Sequence, residues 1–170
     1  MAQLIKNQTV TVDGWKTLEI AANEDLETIA LPSGDVIFPL AVWQARKAEI
    51  ISCHKRIGLL LQSGDCVKDI AADLDYFIVI AVNFPKFVDG RGYSIASLLR
   101  QRYQFEGELR AVGDVLHDQL FFMARVGFDS YALKDGKNVT HALKAGFSSF
   151  SDGYQNTTNQ PLPYFRRRAA

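Results

Sequence analysis

The chain has 170 residues, 48% of them hydrophobic, and its 19 Lys plus Arg offset 19 Asp plus Glu. That length suits one domain that buries roughly two thirds of its unfolded surface, and a net charge of zero argues against the broad basic face that non-specific nucleic-acid binding needs. No window approaches the ~18 consecutive apolar residues of a membrane span, and the opening MAQLIKNQTVTVDGW holds no apolar run of signal-peptide length, so a cytoplasmic protein is expected.

In chain order, residues 1–37 read as a β-rich lead-in too short for a core of its own. Thr9-Val10-Thr11-Val12 alternates ahead of the turn signal Asp13-Gly14, and Glu27 to Leu31 is expected to face Asp35 to Phe38 across Pro32-Ser33-Gly34 as a hairpin. The lead-in is expected to cover one edge or end of the main body. Pro39 suits a first helical turn, and Leu40, Trp43, Lys47, Ile50 and Ile51 continue at helical spacing to about Ser52.

A repeating pattern follows. Ile57 to Leu61 is a short apolar strand, and Val67, Ile70, Ala71 and Leu74 mark a helix after Ser63-Gly64-Asp65. Phe77 to Phe84 is a nearly unbroken apolar strand, the mark of burial on both faces in a parallel sheet. After Asp89-Gly90-Arg91-Gly92 a helix carries Ile95, Leu98, Leu99, Arg102 and Tyr103, with Ser94 as its expected N-cap. Gly107 to Val112 is the third strand. Asp114 is expected to cap a helix with a Leu116, Leu120, Met123 and Val126 stripe that stops at Gly127. Asp129 to Leu133 is the fourth strand, and Asn138 caps a helix bearing Val139, Ala142, Leu143, Gly146, Phe147 and Phe150.

The expected fold is therefore α/β, with about four consecutive βα units forming a mainly parallel sheet. Right-handed crossovers follow, but sheet order does not, so an open doubly wound sheet and a half-barrel arrangement both stand. The tail 151–170, polar and then YQNTTNQPLPYFRRR, reads as an extended end, although Leu162, Tyr164 and Phe165 are unusual residues to leave in water.

In parallel α/β folds ligands bind where the strands end, which directs attention to the polar residues at those turns. Asp114 and His117 are the candidates for acid–base work, the carboxylate orienting the imidazole or capping its helix. Lys86, Asp89, Arg91, Arg110 and Asp118 are the candidates for ligand binding, the cations suiting an anion such as sulfite, sulfate or phosphate. The alternative is that these charges pair with one another across the strand ends. Cys53, His54 and Cys66 fit no zinc spacing, so no metal is expected and both cysteines read as free thiols. No fingerprint of a nucleotide, flavin, haem or cluster site is present in the chain, which leaves its cofactor unknown.

The segments FPKFVDGRGYSIASLLRQRY and GELRAVGDVLHDQLFFMARVGFDSYAL, with the ending PLPYFRRR, resemble a bacterial family of unknown function whose members are commonly labelled probable oxidoreductases of sulfite reduction. The likeness runs from about Ala30 onward. It implies a part in assimilatory sulfite reduction, which makes sulfide for cysteine synthesis. Since an oxidoreductase needs a redox centre, the implied pathway is the firmer expectation, and an accessory partner of the sulfite reductase haemoprotein is the reading it supports. The alternative is a small oxidoreductase or sensor that binds an anionic sulfur metabolite or a phosphate-bearing cofactor at the strand-end rim. A barrel-like fragment with open strand edges also leads to the expectation of a homodimer.

Overall fold

A computed structural model describes residues 3–21, 24–147 and 153–167. The first strands are β1 (Gln3–Lys6) and β2 (Thr9–Val12), an antiparallel hairpin joined by Asn7 and Gln8, both at positive φ. A two-residue loop of that kind matches the twist of its strands. Next come β3 (Lys16–Thr17), β4 (Val36–Pro39) and helix α1 (Leu40–Cys53). Then follow β5 (Ile57–Leu61), a 3₁₀ helix (Val67–Tyr76), β6 (Phe77–Phe84), α2 (Arg91–Gln101) and β7 (Glu108–Gly113). A 3₁₀ turn (His117–Gln119), α3 (Leu120–Val126), β8 (Ser130–Tyr131), α4 (Val139–Ala145) and the short α5 (Tyr164–Arg167) complete the described chain.

The eight strands form one curled sheet in the order β2-β1-β8-β7-β6-β5-β4-β3. From β3 to β8 neighbours in sequence are neighbours in space and run parallel, while β1 joins β8 antiparallel. A doubly wound sheet must reverse its strand order somewhere, and this one never does between β3 and β8. With right-handed crossovers, a sequential order puts every helix on the same side, which is half-barrel geometry.

Side-chain alternation shows the two faces. Val36 and Phe38 of β4, Leu59 and Leu61 of β5, Ile80, Val82 and Phe84 of β6, and Leu109 and Ala111 of β7 share one core with Trp43, Ile50, Ile95, Leu99, Leu120 and Met123 of the helices. The intervening residues Ile37, Val79 and Ala81 form a separate small cluster with Trp15, Leu60 and Val112 on the concave face. Gly58 lies between them. A Cβ there would stand 2.7 Å from both the Ile37 and Val79 side chains, so the strand needs a glycine at that point.

Several expectations about the lead-in are corrected. It supplies strands to both edges of the sheet, and β4 belongs to the parallel sheet itself, paired to β3 and β5. Residues 27–31 make no strand and no hairpin with it. The Asp25 carboxylate takes the Glu27 N–H at 3.0 Å and folds the chain into a turn, and Arg46 and His54 then hold the Ile29 and Pro32 carbonyls. β1 went unrecognised because QLIK is too short to show a period.

Two caps differ as well. Ser94 lies inside α2, whose N-cap position is Gly90. Asp114 caps nothing, for the chain continues through Val115 and Leu116 before it turns, and Gln119 Oε1 accepts the Leu116 N–H at 2.9 Å. Asn138 does cap α4, accepting the His141 N–H at 2.9 Å, and Gly127 ends α3 at φ 112°. Phe150, Ser151 and Arg168, which the sequence reading placed in the last helix and the tail, lie outside the described residues.

The described tail is docked rather than free. The Thr158 N–H donates to the Arg125 carbonyl at 3.1 Å, the Thr158 hydroxyl to the Val126 carbonyl at 3.2 Å, and Arg125 Nη2 to the Gln155 carbonyl at 2.9 Å. Beyond this clamp Leu162 and Phe165 stay exposed.

Candidate functional site

The concave face carries a groove of about 1200 Å³ that runs up to the C-terminal strand ends. Thr17, Ile37, Leu60, Asn83, Val112 and Lys134 line its length, and Arg110 and Asp114 lie in it too.

A charge network reaches the groove through Asp13 and Arg110. Glu108 and Arg110 are two apart on β7 and so point to the same face. Arg110 donates to Glu108 Oε1 through Nε at 3.0 Å and Nη2 at 2.8 Å, and through Nη1 to both Asp13 oxygens at 2.9 Å. The other Glu108 oxygen takes Lys6 Nζ at 2.6 Å, and the Ser130 hydroxyl adds 2.6 Å to Oε1. Two cations and two anions therefore cancel. Burial pushes the Glu108 carboxyl up, but hydrogen bonds from Lys6 and Ser130 and the charge of Arg110 outweigh it and leave the group below its ordinary range. Arg110 is 3% exposed and fully engaged by carboxylates.

At the strand ends, Gly113 adopts φ +95°, and a Cβ there would lie 2.4 Å from Asn83 Oδ1 and 2.5 Å from the Phe84 carbonyl. Close approach of β7 to β6 at this point requires the glycine. Asn83 Nδ2 in turn reaches Gln62 Oε1 at 2.7 Å, linking the ends of β6 and β5. Asp114 follows. Its N–H donates to the Phe84 carbonyl at 2.7 Å, and its carboxylate accepts the Phe87 N–H at 3.2 Å and pairs with Lys134 at 3.0 Å. Lys134 is the main reason this carboxyl is held below the usual carboxylate range.

A second polar group lies at the start of α2. Asp89 accepts the Arg91 N–H at 3.1 Å and its guanidinium at 2.7 Å, and Arg91 Nη2 also donates to the Ser63 hydroxyl at 2.9 Å. Arg91 and Ser63 hold the Asp89 carboxyl far below its ordinary value. Between the two groups the loop exposes Phe87, at 46%, and Val88, at 84%. Phe122 of α3 is half exposed and stacks edge-on against Tyr93.

The seven candidates read from the sequence thus fall in separate places. Arg110 and Asp114 share the groove, and Asp89 pairs with Arg91 on the rim. Lys86 is exposed on the loop beside Phe87 and forms no ion pair among the described residues. His117 is exposed and packs its ring against His141 at 5.7 Å, with no hydrogen bond to Asp114, and Asp118 is exposed beside it. The Asp114–His117 acid–base pair is not assembled in this geometry. Lys6, Asp13, Glu108 and Ser130 were missed. Glu108 and Arg110 could have been found together from their i,i+2 spacing, whereas Lys6 and Asp13 meet them only because β1 returns to the far edge of β8. Cys53 and Cys66 are separate exposed thiols.

These features define a singly wound, half-barrel α/β protein with a concave groove of mixed polar and apolar lining and an apolar-tipped rim at its strand ends. Residues 58–165 match the model of a bacterial family of unknown function, DUF934, and the chain belongs to that family. No curated protein and no solved structure matches it. No described helix is long and apolar enough to cross a membrane.

Proposed function

We propose that the protein is an accessory partner in assimilatory sulfite reduction that assists the sulfite reductase haemoprotein by binding it. The pathway rests on the resemblance of the DGRGYS and GDVLHDQL segments. Support for a binding role comes from the rim, where the charges of Asp89, Arg91, Asp114 and Lys134 are already paired within the chain and surround the exposed Phe87 and Val88. An apolar tip bordered by paired charges and by the exposed Lys86 has the composition of a protein contact surface.

The alternative, a small oxidoreductase or sensor for an anionic sulfur metabolite, has less in its favour. An anion at Arg110 would have to displace Asp13 or Glu108, and at Arg91 the charge is already offset by Asp89. The deciding experiment is a binding titration of the purified chain against the haemoprotein, paired with growth on sulfite as sulfur source. Val88→Asp is expected to abolish binding, and truncation before Pro161 to weaken it. Loss of growth on Arg91→Ala or His117→Ala with binding intact would transfer support to the ligand reading. Growth untouched by all of these changes would remove both.

A further inference from the structure

The sheet ends in two edges of different kinds. β3 is only two residues long and carries Lys16, features that natural proteins use to discourage strand pairing. β2 reads Thr-Val-Thr-Val, four β-branched residues with no charge, proline or glycine among them.

β2 has a strand neighbour on one edge only, and α4 packs beside both β1 and β2. Ile5 of β1 pairs with Tyr131 of β8, while Leu4 and Lys6 lie opposite Thr11 and Thr9 of β2. Main-chain groups alternate in direction along a strand, so with Ile5 turned toward β8, Leu4 and Lys6 bond Thr11 and Thr9. The main-chain groups of Val10 and Val12 then point away from the sheet, and no hydrogen bond from another described residue reaches them. The Val12 side chain is 58% exposed.

We infer that β2 pairs antiparallel with β2 of a second copy across a two-fold axis, with Val10 opposite Val12 and Thr11 opposite itself. In that register each Val10–Val12 pair exchanges both main-chain bonds, and the exposed Val12 packs across from a β-branched neighbour. A second copy is the occupant because the edge is complementary to itself under this symmetry, and because a chain of zero net charge meets its own copy without long-range repulsion. A ladder this short hides less than the roughly 1,200 Å² of a stable complex, so the dimer is reversible and fills only as concentration rises. The inference is independent of any role in sulfite reduction.

Sedimentation equilibrium of the full chain from micromolar to millimolar concentration, with amide exchange read at Val10 and Val12, tests it. The wild type is expected to dimerise as concentration rises, with exchange at both amides slowing in step. Val12→Lys alters an exposed side chain, and Val12→Pro removes an outward-facing N–H at the end of an edge strand, so both keep the pairing with β1. Each is expected to weaken association by about tenfold or more, and Lys16→Ala on the opposite edge to leave it unchanged. A wild type that stays monomeric throughout overturns the proposal, whatever its exchange rates. So does a dimer as strong in both β2 variants as in the wild type.

Discussion

Arg110 shows how a residue that reads as an anion ligand in sequence can meet carboxylates of its own chain in space. It was a candidate anion ligand, yet its guanidinium lies 97 positions from Asp13 in the chain and binds both of that residue's oxygens. Arg110→Ala leaves Asp13 without its cation and Glu108 with Lys6 alone on a mostly buried face, and is expected to destabilise the fold by about 3–5 kcal/mol in urea unfolding. Arg110→Met paired with Asp13→Asn should cost less than Arg110→Ala, because it also removes the carboxylate left without a cation, while Glu108 keeps Lys6. The same network sets a pH response. Glu108 has a folded-state pKa below its unfolded value, so its stabilisation is fully present above the ordinary carboxylate range and is lost as pH falls through the lower folded value. Unfolding midpoints measured from neutral into acid solution should fall for the wild type, and less steeply for Glu108→Gln.

Among the elements, the strand ends and helix starts carry the tightest sequence requirements. Gly113→Ala combines a positive φ with contacts of 2.4 and 2.5 Å, and should cost about 1–3 kcal/mol or more, read as a lower thermal midpoint. Asn138→Ala removes a cap from a seven-residue helix and should cost about 1 kcal/mol. β5 and β6 were legible to the residue, because apolar runs bounded by polar turns need no distant partner to be recognised. The misread cap at Asp114 has a different origin. An aspartate before an apolar helix is an ordinary capping signal, but here Lys134 and the Phe87 N–H compete for the carboxylate, and both arrive from other strand ends. Likewise Asp25 and Arg46 made a turn of residues whose composition suggested a strand.

For the molecule as a whole, the half-barrel separates two surfaces that can be tested apart. Phe87→Ser with Val88→Asp alters only exposed side chains, so thermal stability should stay within about 0.5 kcal/mol of wild type while haemoprotein binding is lost. Val112→Trp fills the concave groove instead. It should leave haemoprotein binding intact, and in native mass spectrometry it should remove any small molecule that co-purifies with the wild type. Loss of haemoprotein binding on Val112→Trp alone, with the fold retained, would move the partner surface into the groove.

The local pattern of hydrophobic residues was enough to determine that this is an α/β chain, where β5, β6 and β7 lie, and that Gly127 and Asn138 bound their helices. Each of these follows from interactions within a few residues. Strand order, the sharing of one core by α1 to α4, the return of β1 to the edge of β8, and the pairing of Asp114 with Lys134 and of Arg110 with Asp13 were decided only by tertiary structure. They depend on which distant segments meet once the sheet curls. A charged side chain in a sequence carries its charge but not always its counterion: Asp89 and Glu108 lie beside the arginines they pair with, but Asp13 reaches Arg110 across 97 positions.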